Sequence, residues 1–458
     1  MCKLIYLRII FFSIKLFRMN YKFSFFSFLL ILTFFGCKET QVDTNLDLSS
    51  DIIVDCNSNL TDALVERHFT PPVAAKNYAY SNIALYSATS PFFTELNTLN
   101  GQIKDFNCEV YPDTAETYNL EVVALNSFSS VALKMVYSDT VISNFLEARL
   151  AGYKATLDPS IYDRSIEYSD DVAKYVLSWA DGDNYKETRN FEEFSPGEAY
   201  EEWKPTSPDY MPAIEPFWGT IRTLVLDSSN QYMPIRPTTV DMTEGATFYN
   251  ETMEVLYAVD TIDEERNEIA LFWDCNPNIS HHHGHVMYFL QKISPGGHWI
   301  HIATQALDNK QMNFSKGAAV MTTLGIGLHD AFVACWEEKY YSNYVRPETV
   351  IRANINEDWK PILQTPAFPE YPSGHSVASA SAATILTDLL GENFDFIDST
   401  ELKYGLPVRE FSSFRDASDE AAISRLYGGI HYMPAITEGV KLGNNVGDLV
   451  NGKIKLLK

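Results

Sequence analysis

The sequence predicts an all-α protein, a single helical bundle with long irregular connections. Apolar residues recur at helical spacing in most of the chain, which is the pattern of amphipathic helices. The chain has 458 residues, 46% of them hydrophobic and 21% charged, which is enough apolar material for one large buried core. No repeat with a period of about 20–50 residues and no low-complexity linker divides it. We therefore expect one continuous domain behind an N-terminal leader.

The leader predicts export from the cytoplasm. Within residues 19–37 (MNYKFSFFSFLLILTFFGC), basic Lys22 precedes an apolar run at residues 23–35. This is the plan of a secretory signal peptide. The run is shorter than the roughly 20 residues that a membrane span needs. We expect a signal peptide at residues 1–36, with Met19 as an alternative start.

The residue that follows this run predicts a lipid anchor. Cys37 comes directly after small Gly36, and the pair resembles the signal of bacterial lipoproteins, in which the cysteine becomes the acylated N-terminus. Ordinary cleavage nearby is the alternative. With lipidation, residues 37–55 form a tether. The protein is then a cell-envelope lipoprotein of a Gram-negative bacterium, periplasmic or in the outer membrane, that meets the membrane only through its lipid anchor.

Helical spacing defines an N-terminal half at residues 56–310. The spacing recurs over residues 60–180, for example in YNLEVVALNSFSSVALKMVY. Asp139 and Asp158, the latter followed by a proline, are typical helix starts. We therefore expect several helices before the first long connection.

Irregular connections follow these helices. Residues 181–231 are rich in Pro, Trp and acids, which predicts a long connection packed on the surface. Shorter loops are expected at residues 269–273 and at Pro295–Gly297. The run His281–His285, with Cys275 upstream, has the side chains of a transition-metal site. A histidine-rich helix start or surface loop is the alternative interpretation of that run.

A C-terminal half at residues 311–458 is expected to continue the same domain and to carry the chemistry. Helical spacing resumes in four segments there. They are residues 317–339, 376–390, 416–425 and 437–457.

The charge balance excludes one class of partner. The chain carries 35 Lys and Arg against 60 Asp and Glu, a formal charge of −25. Residues 1–36 hold five basic and no acidic side chains, so the remainder has a charge of −25 − 5 = −30. Such a surface repels phosphate backbones and anionic headgroups, so we expect no nucleic-acid partner. One buried basic pocket remains compatible with it.

The cysteines are few for an exported chain. Cys56, Cys108, Cys275 and Cys335 remain after the leader cysteine and Cys37 are set aside. A Cys56–Cys108 disulfide is compatible with export, but spacing alone does not establish it. No CxxC pair is present, which argues against a zinc cluster of that kind.

Two polar clusters open the C-terminal half. Lys339 ends a predicted amphipathic helix, where a cation suits the helix dipole. Arg346 follows after six residues, and Pro347 favours an extended backbone at this arginine. The second cluster is Pro372–His375 at the entry to a predicted helix. Its glycine permits close approach of a ligand, and the free N–H groups of a helix start suit an anion.

A third cluster completes the set. Ser424-Arg425 is followed after five residues by His431. Each cluster alone has a structural alternative, because Lys339 suits a solvated helix end, Ser373 an N-cap, and His431 a core position. Together they supply guanidiniums, an ammonium, a hydroxyl, a glycine amide and two imidazoles, which are donors for a tetrahedral oxyanion. In a chain this acidic, their grouping predicts an oxyanion pocket.

These motifs resemble a known family. Lys-x6-Arg-Pro, Pro-Ser-Gly-His and Ser-Arg-x5-His are similar to the three signatures of the vanadium-dependent haloperoxidases and type 2 phosphatidic acid phosphatases, over residues 330–443. The resemblance implies an all-α bundle that binds vanadate or phosphate between helices. Such phosphatases are usually polytopic membrane proteins. No apolar run after Cys37 is expected to span a membrane, which favours the haloperoxidase branch, as does GGHW at residues 296–299.

The resemblance also implies roles for individual residues. It implies vanadate, that is vanadium(V), as the cofactor, and hydrogen peroxide and a halide as substrates. His431 would bind the vanadium, His375 would serve as the acid–base residue, and Lys339 would also activate the peroxide. The residues expected to hold the vanadate oxygens are Lys339, Arg346, Ser373, Gly374 and Arg425.

Fewer residues indicate which halide is preferred. Trp336 and Phe368 are expected to line the pocket mouth, and this aromatic lining is similar to that of the iodide-selective peroxidases of marine flavobacteria. We therefore expect iodide to be preferred. The family often has an Asp four residues after the metal-binding histidine, but Ala435 stands there, so another acceptor must orient His431. A soluble acid phosphatase with His431 as nucleophile and a non-catalytic oxyanion-binding lipoprotein are the alternatives.

Overall fold

The computed structural model describes residues 48–458, except for residues 138–139, 278, 284–285 and 290 and the side chains of residues 280–290. The predicted signal peptide at residues 1–36, the lipidation site Cys37 and Asp139 therefore lie outside the described residues. Helix α1 begins at Asp51 and buries Ile52 and Ile53. The folded part thus starts inside the segment predicted as a tether.

The described chain is mostly helical, as the sequence predicted. The elements of its N-terminal part are α1 (Asp51–Glu66), α2 (Pro71–Thr89), α3 (Leu120–Met135), α4 (Thr140–Thr156), α5 (Pro159–Ala180), α6 (Tyr185–Thr188), α7 (Thr247–Asp260), α8 (Glu264–Phe272), β1 (Ser280–His283) and β2 (Val286–Phe289). Those of its C-terminal part are α9 (Pro295–Asn309), α10 (Phe314–Ser342), α11 (Pro347–Asn354), α12 (Gly374–Leu390), β3 (Phe396–Asp398), β4 (Arg409–Phe411), α13 (Phe414–Tyr427) and α14 (Met433–Lys453).

The strands form two short antiparallel hairpins among these helices. β1 pairs with β2, so that Ser280 lies opposite Phe289, and β3 pairs with β4, so that Phe396 lies opposite Phe411. Residues 281–283 of the histidine run therefore lie on strand β1 rather than on a helix start or a simple loop, and residues 284–285 lie outside the described residues.

Helix α10 is the centre of the core. It packs against α2 on the N-terminal side and against α12 and α14 on the C-terminal side. Among the described residues it is the one helix long and apolar enough to cross a membrane, which corrects the expectation that no such stretch follows Cys37. Its most apolar window is entirely buried inside the protein, as expected for a core helix.

Glycines let α14 lie close to α12. A Cβ atom at Gly443 would lie 2.3 Å from the Val377 carbonyl oxygen, and one at Gly439 would lie 3.0 Å from the Ser373 carbonyl oxygen. Neither position tolerates a side chain without a shift of the backbone. The close contact fixes the first turn of α12, which carries one of the polar motifs.

The long connection after α5 is largely irregular, as predicted, but it does not lie only on the surface. Trp203 and Trp218 are fully buried, and so is Leu224. The connection is held by Asp330 of α10, whose carboxylate accepts the backbone N–H groups of residues 224–226 at 2.6–2.8 Å. This buried anion replaces the secondary structure that would otherwise satisfy these donors.

Two other local expectations are wrong. Pro295–Gly297 opens helix α9 instead of forming a loop, because Ser294 caps the helix and proline is tolerated in its first turn. Residues 269–272 end helix α8. The helix start predicted at Asp158 is confirmed, since its carboxylate accepts the Ser160 N–H at 2.8 Å.

The four described cysteines, Cys56, Cys108, Cys275 and Cys335, are buried free thiols. The disulfide considered between Cys56 and Cys108 is therefore not formed.

Candidate active site

The three motifs predicted from the sequence converge in the structure. Lys339 lies in the last turn of α10, and Arg346 is the N-cap of α11, with the extended backbone expected before a proline (φ −80°, ψ 149°). Arg425 ends α13. The chain then turns at Gly429, with φ +76°, which brings buried His431 to the start of α14. Two stretches distant in sequence, residues 339–346 and 425–431, thus meet at one buried position.

Lys339 anchors the loop that leads into α12. Its side chain is fully buried, and its Nζ donates to the carbonyl oxygens of Pro369 (2.9 Å), Glu370 (3.0 Å) and Pro372. Burial lowers the pKa of Lys339 to about 7, and nearby Arg346 acts in the same direction. An anion beside this ammonium would favour its charged form.

Arg346 contacts the histidine directly. Its Nε donates to the Phe368 carbonyl at 3.0 Å, and its Nη1 donates to the Ile430 carbonyl at 2.8 Å and lies 3.2 Å from His431 Nε2. Burial lowers the pKa of Arg346 to about 10, although the negative charge of Glu370 opposes this. The buried Nη2 has no hydrogen-bond partner among the described residues. The Nη2 amino group, with its two N–H donors, is therefore available to a ligand.

Glu370 orients His431, and sequence reasoning did not identify it. His431 Nδ1 lies 2.8 Å from Glu370 Oε1, which also accepts the Tyr432 backbone N–H at 2.9 Å. An oxygen already accepting a backbone donor is best matched by a protonated Nδ1, which leaves the lone pair on Nε2. Glu370 thus supplies the acceptor that Ala435 cannot provide. The only local signal for it is a single acid in the otherwise uncharged stretch at residues 365–374.

Trp273 holds the other two functional side chains through its backbone. Arg425 Nη2 donates to the Trp273 carbonyl at 2.7 Å, and His375 also forms a hydrogen bond with the Trp273 backbone. The buried His375 Nε2 has no hydrogen-bond partner among the described residues. Burial holds the pKa of His375 well below its usual range, and Arg425 contributes in the same direction. His375 is therefore a neutral imidazole with one nitrogen available.

Ser373 and Gly374 form the start of α12. The Ser373 Oγ accepts the Ser376 N–H at 3.3 Å. Ser373 is therefore an N-cap, which is the structural alternative that the sequence offered for it. A Cβ at Gly374 would meet Trp336 at 3.5 Å and the Lys339 Cε at 3.9 Å. These are ordinary contacts, so packing against protein atoms does not by itself require glycine here. Close approach of a ligand to the helix start would require it.

The pocket itself is lined by aromatic and polar groups. The Trp336 and Phe368 rings lie 5.1 Å apart by their centroids, and both residues line the pocket. The other predicted residues in the lining are Gly374, His375, Arg425 and His431. Lys339, Arg346 and Ser373 lie outside this lining: Lys339 donates to the loop before α12, Arg346 contacts His431, and Ser373 directly precedes Gly374.

The donor set fits a small oxyanion. Two buried nitrogen atoms without a hydrogen-bond partner in the described part of the chain belong to this site: Arg346 Nη2, which is a donor, and His375 Nε2, which carries the lone pair of the neutral imidazole. Arg425 and the start of α12 add further N–H groups. His431 contributes a neutral nitrogen, because burial and the surrounding cations hold its pKa well below the usual range. Such a set suits vanadate, whose oxygens accept hydrogen bonds and whose metal takes a nitrogen ligand.

Comparisons with known proteins identify the family. A sequence profile of the VCPO second helical-bundle domain matches residues 319–457. No curated protein gave a significant match. The chain is similar to the crystal structure of a bacterial vanadium-dependent iodoperoxidase, with a TM-score of 0.85 and 38% sequence identity over 90% of this chain and 98% of that chain. The chain belongs to the vanadium-dependent haloperoxidase family.

More distant haloperoxidases share the fold. Holo and apo crystal structures of a bacterial vanadium-dependent chloroperoxidase match with a TM-score of 0.65 and 16% identity, over 84% of this chain and 93% and 94% of theirs. The haloperoxidase fold and the all-α class predicted from the sequence are thus confirmed. The profile match contains all three motifs, from Lys339 to His431.

Proposed function

We propose that this haloperoxidase oxidises iodide with hydrogen peroxide, using vanadate as its cofactor. The observation that carries the proposal is the buried His431, whose Nδ1 lies 2.8 Å from Glu370 Oε1 while its Nε2 faces the guanidinium of Arg346. A nitrogen lone pair within a group of buried cationic donors suits a metal oxyanion. The likeness to a bacterial iodoperoxidase at 38% identity supports the proposal.

The side chains divide into a metal ligand and oxygen donors. His431 Nε2 would bind the vanadium, and Lys339, Arg346 and Arg425 would neutralise charge on the oxygens. Ser373 and Gly374 would contribute the hydroxyl and the backbone N–H of the α12 start. When bound, vanadate supplies a Lewis-acidic centre that makes peroxide oxygen electrophilic toward halide, with no change in the oxidation state of the metal.

His375 would move the protons of the reaction. Its Nε2 is buried and without a protein partner in the described region, and its residue lines the pocket. Because burial keeps the imidazole neutral, Nε2 can accept a proton from incoming hydrogen peroxide and return it to a leaving hydroxide. The hydrogen bond to Trp273 holds the ring in place for that transfer.

The aromatic lining supports the preference for iodide. Trp336 and Phe368 present polarisable, uncharged surfaces beside the cationic site, and Phe332 extends this lining. Large, weakly hydrated iodide loses less solvation free energy on entering such a surface than bromide or chloride does. It is also the easiest of the three to oxidise, so it needs the least activation.

Reconstitution with vanadate tests the proposal. The purified apoprotein, supplied with vanadate and hydrogen peroxide, is expected to produce triiodide from iodide. We expect kcat/KM for iodide to exceed that for bromide by at least about 100-fold, equivalent to ~2.7 kcal/mol in the barrier. Comparable rates for the two halides would disprove the iodide preference but leave the haloperoxidase activity standing.

The same preparation distinguishes the phosphatase alternative. Hydrolysis of a phosphate ester that vanadate inhibits, without vanadate-dependent halide oxidation, would replace our proposal. The absence of both activities from folded, vanadate-loaded protein would instead favour a non-catalytic oxyanion-binding protein.

We also propose that the protein acts in the cell envelope as a lipoprotein. The support is the sequence of the leader, in which Cys37 follows a signal-type apolar run. Palmitate labelling and membrane association are expected for the wild-type chain and are expected to be lost in Cys37→Ser. Unchanged labelling of that variant would exclude Cys37 as the lipidation site.

A further inference from the structure

A second cluster of chemically reactive side chains lies behind the active-site pocket. It consists of Cys275, His298, Asp398 and Glu401, and we refer to it as the Cys275 cluster. Cys275 follows α8, His298 lies in the first turn of α9, and the two acids lie at and just after β3. All four residues are at most 1% exposed. Since burial of so many ionisable groups is costly, the cluster requires a compensating interaction.

Three of these side chains converge on one point. Cys275 Sγ lies 3.2 Å from His298 Nδ1, and Glu401 Oε1 lies 3.6 Å from the same nitrogen. All three atoms lie within 4.8 Å of one another. In tetrahedral zinc sites the metal lies about 2.3 Å from sulfur and about 2.0 Å from nitrogen or oxygen, which places ligand atoms roughly 3.3–3.6 Å apart. The two separations from His298 Nδ1, 3.2 Å to the sulfur and 3.6 Å to the oxygen, are close to these values.

The surroundings of His298 suit a metal ligand. Its Nε2 lies 2.7 Å from Asp398 Oδ2, and Asp398 Oδ1 accepts the Thr400 N–H at 2.9 Å. When Nε2 donates its hydrogen bond to Asp398, Nδ1 is the atom that can bind a metal ion, and it faces the sulfur and Glu401. This carboxylate–imidazole arrangement is the usual support of a metal-bound histidine.

Glu401 provides an independent observation. Its Oε1 is buried and has no hydrogen-bond partner in the described part of the chain, and it points toward His298 Nδ1. A buried carboxylate oxygen without a hydrogen bond, whose nearest charged group is an imidazole nitrogen 3.6 Å away, is unfavourable unless a cation completes its environment.

We propose that Cys275, His298 and Glu401 bind a divalent transition metal ion, with Zn²⁺ as the best match for one sulfur, one nitrogen and one oxygen ligand. A thiolate and a carboxylate neutralise the two charges of the ion. Three protein ligands leave a fourth position for water. Cys275 also lines the active-site pocket, so the proposed metal site adjoins that pocket.

The site would stabilise the wall of the active-site pocket. The Trp273 ring stacks on His298 with centroids 4.6 Å apart, and its carbonyl accepts Arg425 Nη2. Trp273 lies two residues before Cys275, so an ion bound there fixes the backbone that positions both Arg425 and His375. The role is structural and needs no vanadate.

Metal analysis of the full mature chain tests the proposal. After loading with zinc and removal of free metal, we expect about one zinc ion per wild-type chain. Cys275→Ser is expected to bind less than about a tenth of this amount, and Asp398→Asn to lower the zinc affinity about 10–100-fold. Cys108→Ser, a buried thiol outside the cluster, and His431→Ala, in the vanadate site, are controls that should both retain zinc.

Cobalt substitution provides a second measurement on the wild-type protein. Co²⁺ bound at this site should show thiolate-to-metal charge-transfer absorption and the visible bands of tetrahedral cobalt, which zinc displaces. If wild-type protein shows neither stoichiometric zinc nor these bands, the cluster is a metal-free ion pair between His298 and Asp398. Zinc content unaffected by Cys275→Ser would place the ion elsewhere, for example at residues 281–285. Either result overturns the proposal without bearing on haloperoxidase activity.

Discussion

Replacing His431 with alanine is expected to abolish vanadate-dependent iodide oxidation, lowering kcat/KM by at least about 1000-fold, or ~4 kcal/mol. The variant loses the nitrogen whose lone pair the contact with Glu370 directs toward Arg346. Lysine and arginine side chains carry N–H donors only, so they can hold an oxyanion but cannot replace a nitrogen ligand. The other pocket imidazole, His375, is held by the Trp273 backbone at a different position.

Binding and turnover should separate in this variant. Equilibrium dialysis is expected to show weaker but measurable vanadate binding, because the buried cations remain, whereas triiodide formation falls to background. His68→Ala, in the turn between α1 and α2, is a matched control and should keep wild-type activity. Circular dichroism checks that both variants fold. More than about a tenth of wild-type turnover in folded His431→Ala would rule out His431 as the essential ligand.

The parts of this protein that the sequence predicted are those encoded by local patterns. Apolar residues at helical spacing indicate that one face of a helix is buried. The helices containing Lys339 and Arg425 could therefore be located to within a few residues. The motifs were recognisable because their functional side chains lie next to residues with a clear local structural preference. Examples are Ser373, which caps a helix, and Pro347, which fixes the backbone of Arg346.

What the sequence did not predict depends on contacts between distant segments. Glu370 lies 61 residues from His431, and no spacing rule relates the two. The Trp273 carbonyl contacts Arg425, 152 residues away, through a backbone atom that any residue type would provide. Pro295–Gly297 was interpreted as a loop because proline and glycine are turn residues, although Ser294 and the first-turn proline equally suit a helix start.

The net charge illustrates the same distinction. The chain has a net charge of −25, and most of its acidic side chains lie where solvent screens them. The net charge calculated from composition therefore describes mainly the surface. Lys339, Arg346 and Arg425 are at most 1% exposed, and Glu370 is the buried acid that contacts their histidine partner. The positions of these basic side chains in the fold, which cannot be read from composition, give an acidic protein a cationic pocket.

Removing the carboxylate of Glu370 is expected to raise the dissociation constant for vanadate about 10–100-fold, the usual effect of losing the group that orients a metal-binding histidine. In Glu370→Ala, His431 Nδ1 loses its acceptor, so the ring is free to rotate or to move its proton to Nε2. Tyr432 also loses the partner of its backbone N–H. Glu370→Gln keeps an acceptor oxygen but lacks the negative charge, so we expect a smaller increase.

A measurement independent of turnover separates orientation from general destabilisation. The ¹⁵N chemical shifts of His431 in vanadate-free protein should report a proton on Nδ1 in the wild type and a mixture of tautomers in Glu370→Ala. The matched control is Glu348→Ala, which removes another buried glutamate whose contacts are with Thr365 and Arg352. It should leave the tautomer and the vanadate affinity unchanged, even if it lowers the melting temperature. Because Glu370 contacts His431 through one oxygen at 2.8 Å, a wild-type tautomer in Glu370→Ala would show that something other than this carboxylate orients the ring.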